Sequence, residues 1–196
     1  MIKRFGDYDQ TQAYGDFERL PKGGYICKIL DVQTCAGQSG RNYLKIALDI
    51  AEGDYSGFYH RAWKEAKRQN EDAKWQCNFL LNIPTDDGSE QDGWTKRSFK
   101  TFTNALEDSN AGYHFDWDES KFKGKLVGGL FNEREYEGRD GTVRRSTNFA
   151  RPVPVDKIRS GDYKLPDDKL LNKAPRAVGS SFVNVPEGIE DELPFN

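Results

Sequence analysis

The chain has 196 residues, 36% hydrophobic and 31% charged, with a net charge of −3, which suits one substantial domain with polar extensions. Nothing approaches the roughly 20 consecutive apolar residues that cross a bilayer, and the opening MIKRFGDYDQ lacks the apolar run of a signal peptide, so a cytoplasmic protein without membrane contact is expected. Cys27, Cys35 and Cys77 are odd in number and form no Cys-x-x-Cys pair, which argues against a disulfide framework and against a zinc site.

Residues 1–20 are polar and aromatic without periodicity and read as an N-terminal extension. Leu20 to Gly24 (LPKGG) is a turn that releases the chain into a first strand, Tyr25 to Val32. Cys35 to Gly40 turns the chain again, and Asn42 to Ile50 alternates cleanly: Leu44, Ile46, Leu48 and Ile50 on one side, Tyr43, Lys45, Ala47 and Asp49 on the other. A period of two is what a half-buried strand requires. After the turn GDYSG, Gly57 to Trp63 with its three aromatics reads as a third strand. Residues 64–82 stay open, because KEAKRQNEDAKW favours helix while QCNFLLNI suits a helix end or a short strand.

PTDDGSEQDG is a loop by composition, and Thr95 to Ser109 places Phe99, Phe102 and Leu106 at helical spacing with Ala105 beside them. Lys125 to Tyr136 and Val143 to Val155 form two further strands joined by EGRDG, with Asp140 and Gly141 at the tight turn. Strand, strand, strand, helix, strand, strand is the order of an OB-fold, a five-stranded Greek-key barrel. The expected class is therefore all-β with one helix, over residues 21–172. From Asp156 onward Pro, Gly and charge recur, and residues 173–196 are expected to be a flexible tail, since such a segment buries too little surface to offset its ordering entropy.

Charge is unevenly divided. The last ten residues hold Glu187, Glu190, Asp191 and Glu192 and no base, so the rest carries 29 basic against 28 acidic groups, and residues 121–151 hold eight bases against four acids. Binding an unpaired nucleic-acid strand needs cations for phosphates and flat rings for bases. Tyr43, Tyr59, Trp63, Tyr136 and Phe149 are the candidate stacking rings, and Lys45, Arg61, Arg134, Arg144 and Arg145 the candidate phosphate contacts. Trp75 and Trp94 fall between the third strand and the helix, where packing in the core outweighs a role as a lid. At the C-terminal tip, Glu190, Asp191 and Glu192 precede Leu193, Pro194 and Phe195: acids that steer and an apolar hook that anchors a partner protein.

No phosphate-binding loop, His-Glu-x-x-His or Gly-x-Ser-x-Gly motif occurs. His60 and His114 lack ligand spacing, and Asp116, Asp118 and Glu119 read as a polar turn before they read as a magnesium site. A non-enzyme without cofactor or metal is expected.

Several strings together resemble a family of phage replication-module OB-fold proteins similar to single-stranded DNA-binding proteins. They are LPKGGY from Leu20, SGRNYLKIALDIAEGDYSG, ALEDSN from Ala105, YHFDWD from Tyr113, FKGKLVGG from Phe122 and EYEG from Glu135. The resemblance implies non-catalytic binding of single-stranded DNA in phage replication or recombination, inside the infected bacterial host. The tip separately resembles the acidic tail of bacterial single-stranded DNA-binding proteins, which implies docking on replication or recombination proteins; it departs from them in continuing past Phe195 to Asn196. Pairing into a homodimer is compatible with such a barrel. The rival readings are a protein-interaction adaptor and, behind it, a metal-dependent nuclease built on the Asp116 cluster.

Overall fold

The computed structural model describes residues 3–4, 6, 18–37, 40–138 and 140–171. Its framework is one five-stranded antiparallel sheet of β1 (Gly23–Ala36), β2 (Asn42–Ile50), β3 (Asn78–Asn82), β4 (Leu126–Glu137) and β5 (Val143–Val153), in the order β3-β2-β1-β4-β5. Three α-helices accompany it among the described residues: α1 (Phe58–Gln69), α2 (Glu90–Ser109) and α3 (Val155–Ser160). The chain is thus mainly β, with more helix than the one segment expected.

The second strand, the helix before β4 and the β4–β5 hairpin lie where the sequence places them. The third strand does not. Gly57 to Trp63 is the start of α1, and the third strand is Asn78–Asn82, inside the stretch left open. Phe58, Tyr59, Ala62, Trp63 and Ala66 make the covered stripe of α1, while the positions between them are exposed. That spacing is helical. The first turn has neither a capping side chain from its N-cap, Gly57, nor an acid of its own. Asp49 Oδ1 meets the need from the end of β2, accepting from the backbone N–H of Tyr59 at 3.0 Å and of Ile50 at 2.9 Å. A carboxylate at a helix N-terminus satisfies an orphan donor and opposes the helix dipole. Asp49, expected to point outward, is consequently buried.

Helix α2 begins five residues before the periodic segment. Ser89 caps it by accepting from Asp92 N–H at 3.1 Å, and the buried Asp92 carboxylate accepts from Thr85 N–H at 2.8 Å. Its C-terminus is tied to the sheet through Asn110, whose side chain donates to Leu126 O and accepts from Leu126 N–H.

The core lies on the inward face of the sheet and under both longer helices, with Ile29, Leu44, Ile46, Leu48, Phe102, Leu106, Phe122, Val127 and Phe131 almost fully enclosed. Leu20 joins it from the segment read as an extension. The sheet curls until its edge strands approach, the rings of Phe79 on β3 and Phe149 on β5 coming to 4.8 Å. Among the described residues no ladder joins β3 to β5, so the sheet is not closed into a barrel. On β4, Gly128 and Gly129 admit close neighbours from opposite faces. A Cβ on Gly129 would stand 2.5 Å from the Phe149 ring, and one on Gly128 would stand 2.8 Å from Ile158 of α3.

Candidate functional site

The outward register of β2 builds the clearest surface. Leu44, Ile46 and Leu48 are buried, whereas Tyr43, Lys45 and Ala47 are partly exposed on the other face. The ladder fixes their neighbours. Tyr43 lies between Cys35 and Asn82, Lys45 between Gln33 and Leu80, and Ala47 between Asp31 and Asn78. Leu80 is 42% exposed, so an apolar spot stands beside the lysine. Asp31 brings the carboxylate in this grid; it accepts from Gln33 Nε2 at 3.1 Å and faces the Lys123 ammonium at 3.7 Å. Lys45 has no carboxylate partner among the described residues. The surface therefore offers a ring, a cation and amide groups with little negative charge.

The other expected site residues divide among separate places. Tyr59 is a correction: α1 turns it inward, where it stacks on Phe131 at 6.5 Å, and burial drives its hydroxyl pKa well up. It is a core residue and no stacking ring for a ligand. Phe149 also faces inward, packed on Phe79 and on Phe131, with the Phe131 ring at 5.4 Å. Arg61 and Trp63 stand on α1, where the Arg61 guanidinium donates to Ser56 O and the Trp63 indole to Ala73 O at 3.1 Å.

On the hairpin, Tyr136 and Arg144 are cross-strand neighbours on the outward face, two residue pairs along from Arg134 and Ser146 of the same face. Arg145 pairs in register with Glu135 and so points to the opposite side, where Glu135 holds it at 2.8 Å and Glu133 lies at 3.9 Å. The Glu135 partnership raises the Arg145 pKa. Arg144 is held by Asp140 at 2.8 Å. The Asp140 carboxyl is lowered to about 2, first by the Thr142 hydroxyl, then by the Thr142 N–H and Arg144. Two of the five expected phosphate contacts are therefore neutralised within the hairpin. Arg134 has no ion pair among the described residues, but its strand edge is covered by the chain itself. Lys169 N–H donates to Glu133 O and Glu135 N–H to Lys169 O, both at 2.8 Å, in a parallel bridge, and Lys22 pins the segment through Asp168 at 2.7 Å.

The acidic cluster is likewise occupied. Asp116 and Asp118 share the Lys121 ammonium, and Asp118 caps the 3-10 turn Glu119–Phe122 by accepting from Ser120. Cys27 and Cys77 are buried thiols whose pKa burial raises. Trp75 packs against the core, its indole donating to Leu48 O and Cys77 O, each at 3.1 Å, but Trp94 is 62% exposed under the Arg97 guanidinium. The tip residues Glu190, Asp191, Glu192, Leu193, Pro194 and Phe195, together with the expected boundary at 172, lie outside the described residues.

Sequence reasoning weighed His60 only as a metal ligand and passed over Lys64 and Lys67, which share an exposed side of α1 with it. It also passed over Trp117, 82% exposed at φ 68° and parallel to the Phe99 ring at 6.5 Å. The i, i+3, i+4, i+7 spacing from His60 to Lys67 was the signal for the first group. None existed for the second, which depends on a backbone conformation rare for a bulky residue.

Comparison with known proteins assigns a family. The chain belongs to the DUF669 family. Its description is a protein of unknown function, and the match covers residues 6–116, more than half of the chain. That span contains β1 to β3, α1 and α2, and therefore the whole β1–β2–β3 grid; the β4–β5 hairpin falls outside it. No curated protein matches the sequence. Among the described residues no helix is long and apolar enough to cross a membrane.

Proposed function

We propose that this protein binds single-stranded DNA without sequence preference, over the outward face of β2 and β3, as a non-catalytic component of phage DNA replication or recombination. The observation that carries this reading is the placement of Tyr43 and Lys45 side by side along one strand, outward, with an ammonium that no carboxylate engages among the described residues. Strand order supports it. β3-β2-β1-β4-β5, with the helix α2 between β3 and β4, is the order of an OB-fold, in which the face of strands 2 and 3 receives oligonucleotides. A ring that stacks on a base contributes about 1–3 kcal/mol whatever the base. The phage setting rests on the sequence strings described above, and the tip adds docking on replication proteins.

The experiment is a titration of oligothymidylate into the full chain, followed by tryptophan fluorescence at several salt concentrations. Affinity should fall with salt at a logarithmic slope of about −0.7 per phosphate neutralised. Absence of salt-dependent binding ends the proposal.

A second reading, a protein-interaction adaptor, draws on Trp94 and Trp117, large rings presented to solvent, since exposed tryptophans are frequent anchors of protein interfaces. Under it, Trp117→Ala abolishes capture of a replication partner and the oligothymidylate titration is flat.

A further inference from the structure

We infer that the connection between β2 and β3 carries a second platform for the same DNA strand, where the exposed His60, Lys64 and Lys67 of α1 border the half-buried rings of Trp63 and Trp75. This rests on the strand-binding reading and extends it from the sheet to a helix.

Three rings meet there. The centroids of Trp63 and Trp75 are 6.1 Å apart, and His60 lies 6.2 Å from Trp63 and 6.5 Å from Trp75. Both indoles are fixed by hydrogen bonds to backbone carbonyls, Trp63 to Ala73 and Trp75 to Leu48 and Cys77. Neither indole is fully buried. Rings held in place before a ligand arrives lose little rotational freedom on binding. Packing alone would account for the indoles, but not for what surrounds them. Residues 60, 63, 64 and 67 follow helical spacing on one side of α1, and the Lys67 ammonium lies 5.6 Å above the Trp63 ring. Across α1, Arg61, Lys64, Lys67 and Arg68 face a lone acid, Glu65, which Arg68 engages at 2.8 Å. The helix thus keeps positive charge over its rings, the complement of a phosphate chain with unstacked bases.

Position makes the platform continuous with the grid. Trp75 is hydrogen-bonded to Leu48 O, one residue beyond Ala47, the last outward residue of the β2 row. From Tyr43 to Leu48 is about 17 Å of extended strand. A single strand crossing Tyr43 and Lys45 along β2 therefore runs onto α1.

The test uses the full chain and fluorescein-labelled oligothymidylates of about 5 and about 20 nucleotides, near the lower end and above the range of about 4–16 that one OB-type binding face accommodates. In the double variant Lys64→Glu with Lys67→Glu, both exposed, affinity for the longer oligomer should drop about tenfold or more, its salt slope should shrink by about 1.4, and the shorter oligomer should bind as before. Tyr43→Ala should weaken both oligomers. If the double variant leaves both affinities unchanged, or lowers both equally, the helix is no separate platform and this inference falls while strand binding stands. If the unaltered protein binds neither oligomer, strand binding itself falls.

Discussion

Phe79 on β3 and Phe149 on β5 meet ring to ring at 4.8 Å, although their strands lie at opposite edges of the sheet. Each touches a fully buried ring on its own side, Phe102 at 5.6 Å from Phe79 and Phe131 at 5.4 Å from Phe149. A chain of aromatic contacts thus bridges the seam where, among the described residues, no backbone ladder runs. Across that seam, ring packing stands where a hydrogen-bonded ladder would run.

Removing one side of that bridge should be costly for a partly exposed position. Phe79→Ala is expected to destabilise the fold by about 3 kcal/mol, the lower end for a phenylalanine truncation. Urea unfolding measures it, and a cost within experimental error would show that the seam holds without the rings.

Gly129 lies beneath the same rings. Gly129→Ala places a methyl 2.5 Å from the Phe149 ring and should cost about 1–3 kcal/mol as overpacking. The double variant with Phe149→Leu should recover part of that loss, because the smaller side chain vacates the space. Additive losses in the double-mutant comparison would contradict the contact.

Tyr43→Ala should weaken binding of oligothymidylate by about 1–3 kcal/mol at any salt concentration. Lys45→Glu should act differently, reducing the salt slope by at least about 0.7. If the two variants alter affinity and slope in the same way, ring and cation are not playing separate parts.

Asp140 provides a pH test. Its folded pKa is about 2, below the roughly 3.9 of an unfolded aspartate. Its contribution to stability is therefore complete above about pH 4 and disappears as pH falls through 2. Asp140→Asn keeps an acceptor for Thr142 but cannot hold Arg144 by charge. The stability difference between the two proteins should be constant from pH 7 to about 5 and shrink toward pH 2. At neutral pH the same variant frees Arg144, and the salt slope for oligothymidylate should steepen by about 0.7 if that side chain reaches a phosphate. Thermal unfolding across the pH series and anisotropy titrations report the two effects separately.

The legible parts of this sequence are those fixed by local periodicity. β2 alternates strictly, so the outward placement of Tyr43 and Lys45 could be read directly, and the Asp140–Gly141 pair announced the hairpin. α1 was illegible because Phe58, Tyr59 and Trp63 favour strands individually, and the stripe that continues through Ala66 crosses into a segment of different composition. What settles the helix is a tertiary bond, Asp49 to the N–H of Tyr59, from a residue that alternation alone assigns to the opposite face. The start of α2 was hidden for a related reason, since Ser89 and Asp92 look like loop residues until the bond from Asp92 N–H to the Ser89 hydroxyl is seen. Among the site residues, the Arg144 partnership with Asp140 is local and could have been noticed four residues apart. The Arg145 partnership with Glu135 could not, because it depends on the register across the hairpin.

The short run around Lys169 that lies along β4 does more than fill space. From Asn132 onward β4 extends beyond the start of β1, and without that run the carbonyl of Glu133 and the N–H of Glu135 would face water as a bare template. Bare templates of this kind recruit strands from other molecules. A protein shortened to end at Tyr163 should on this account lose its monodispersity before it loses its fold, with the run around Lys169 acting as a selvage that stops the fabric from fraying into its neighbours.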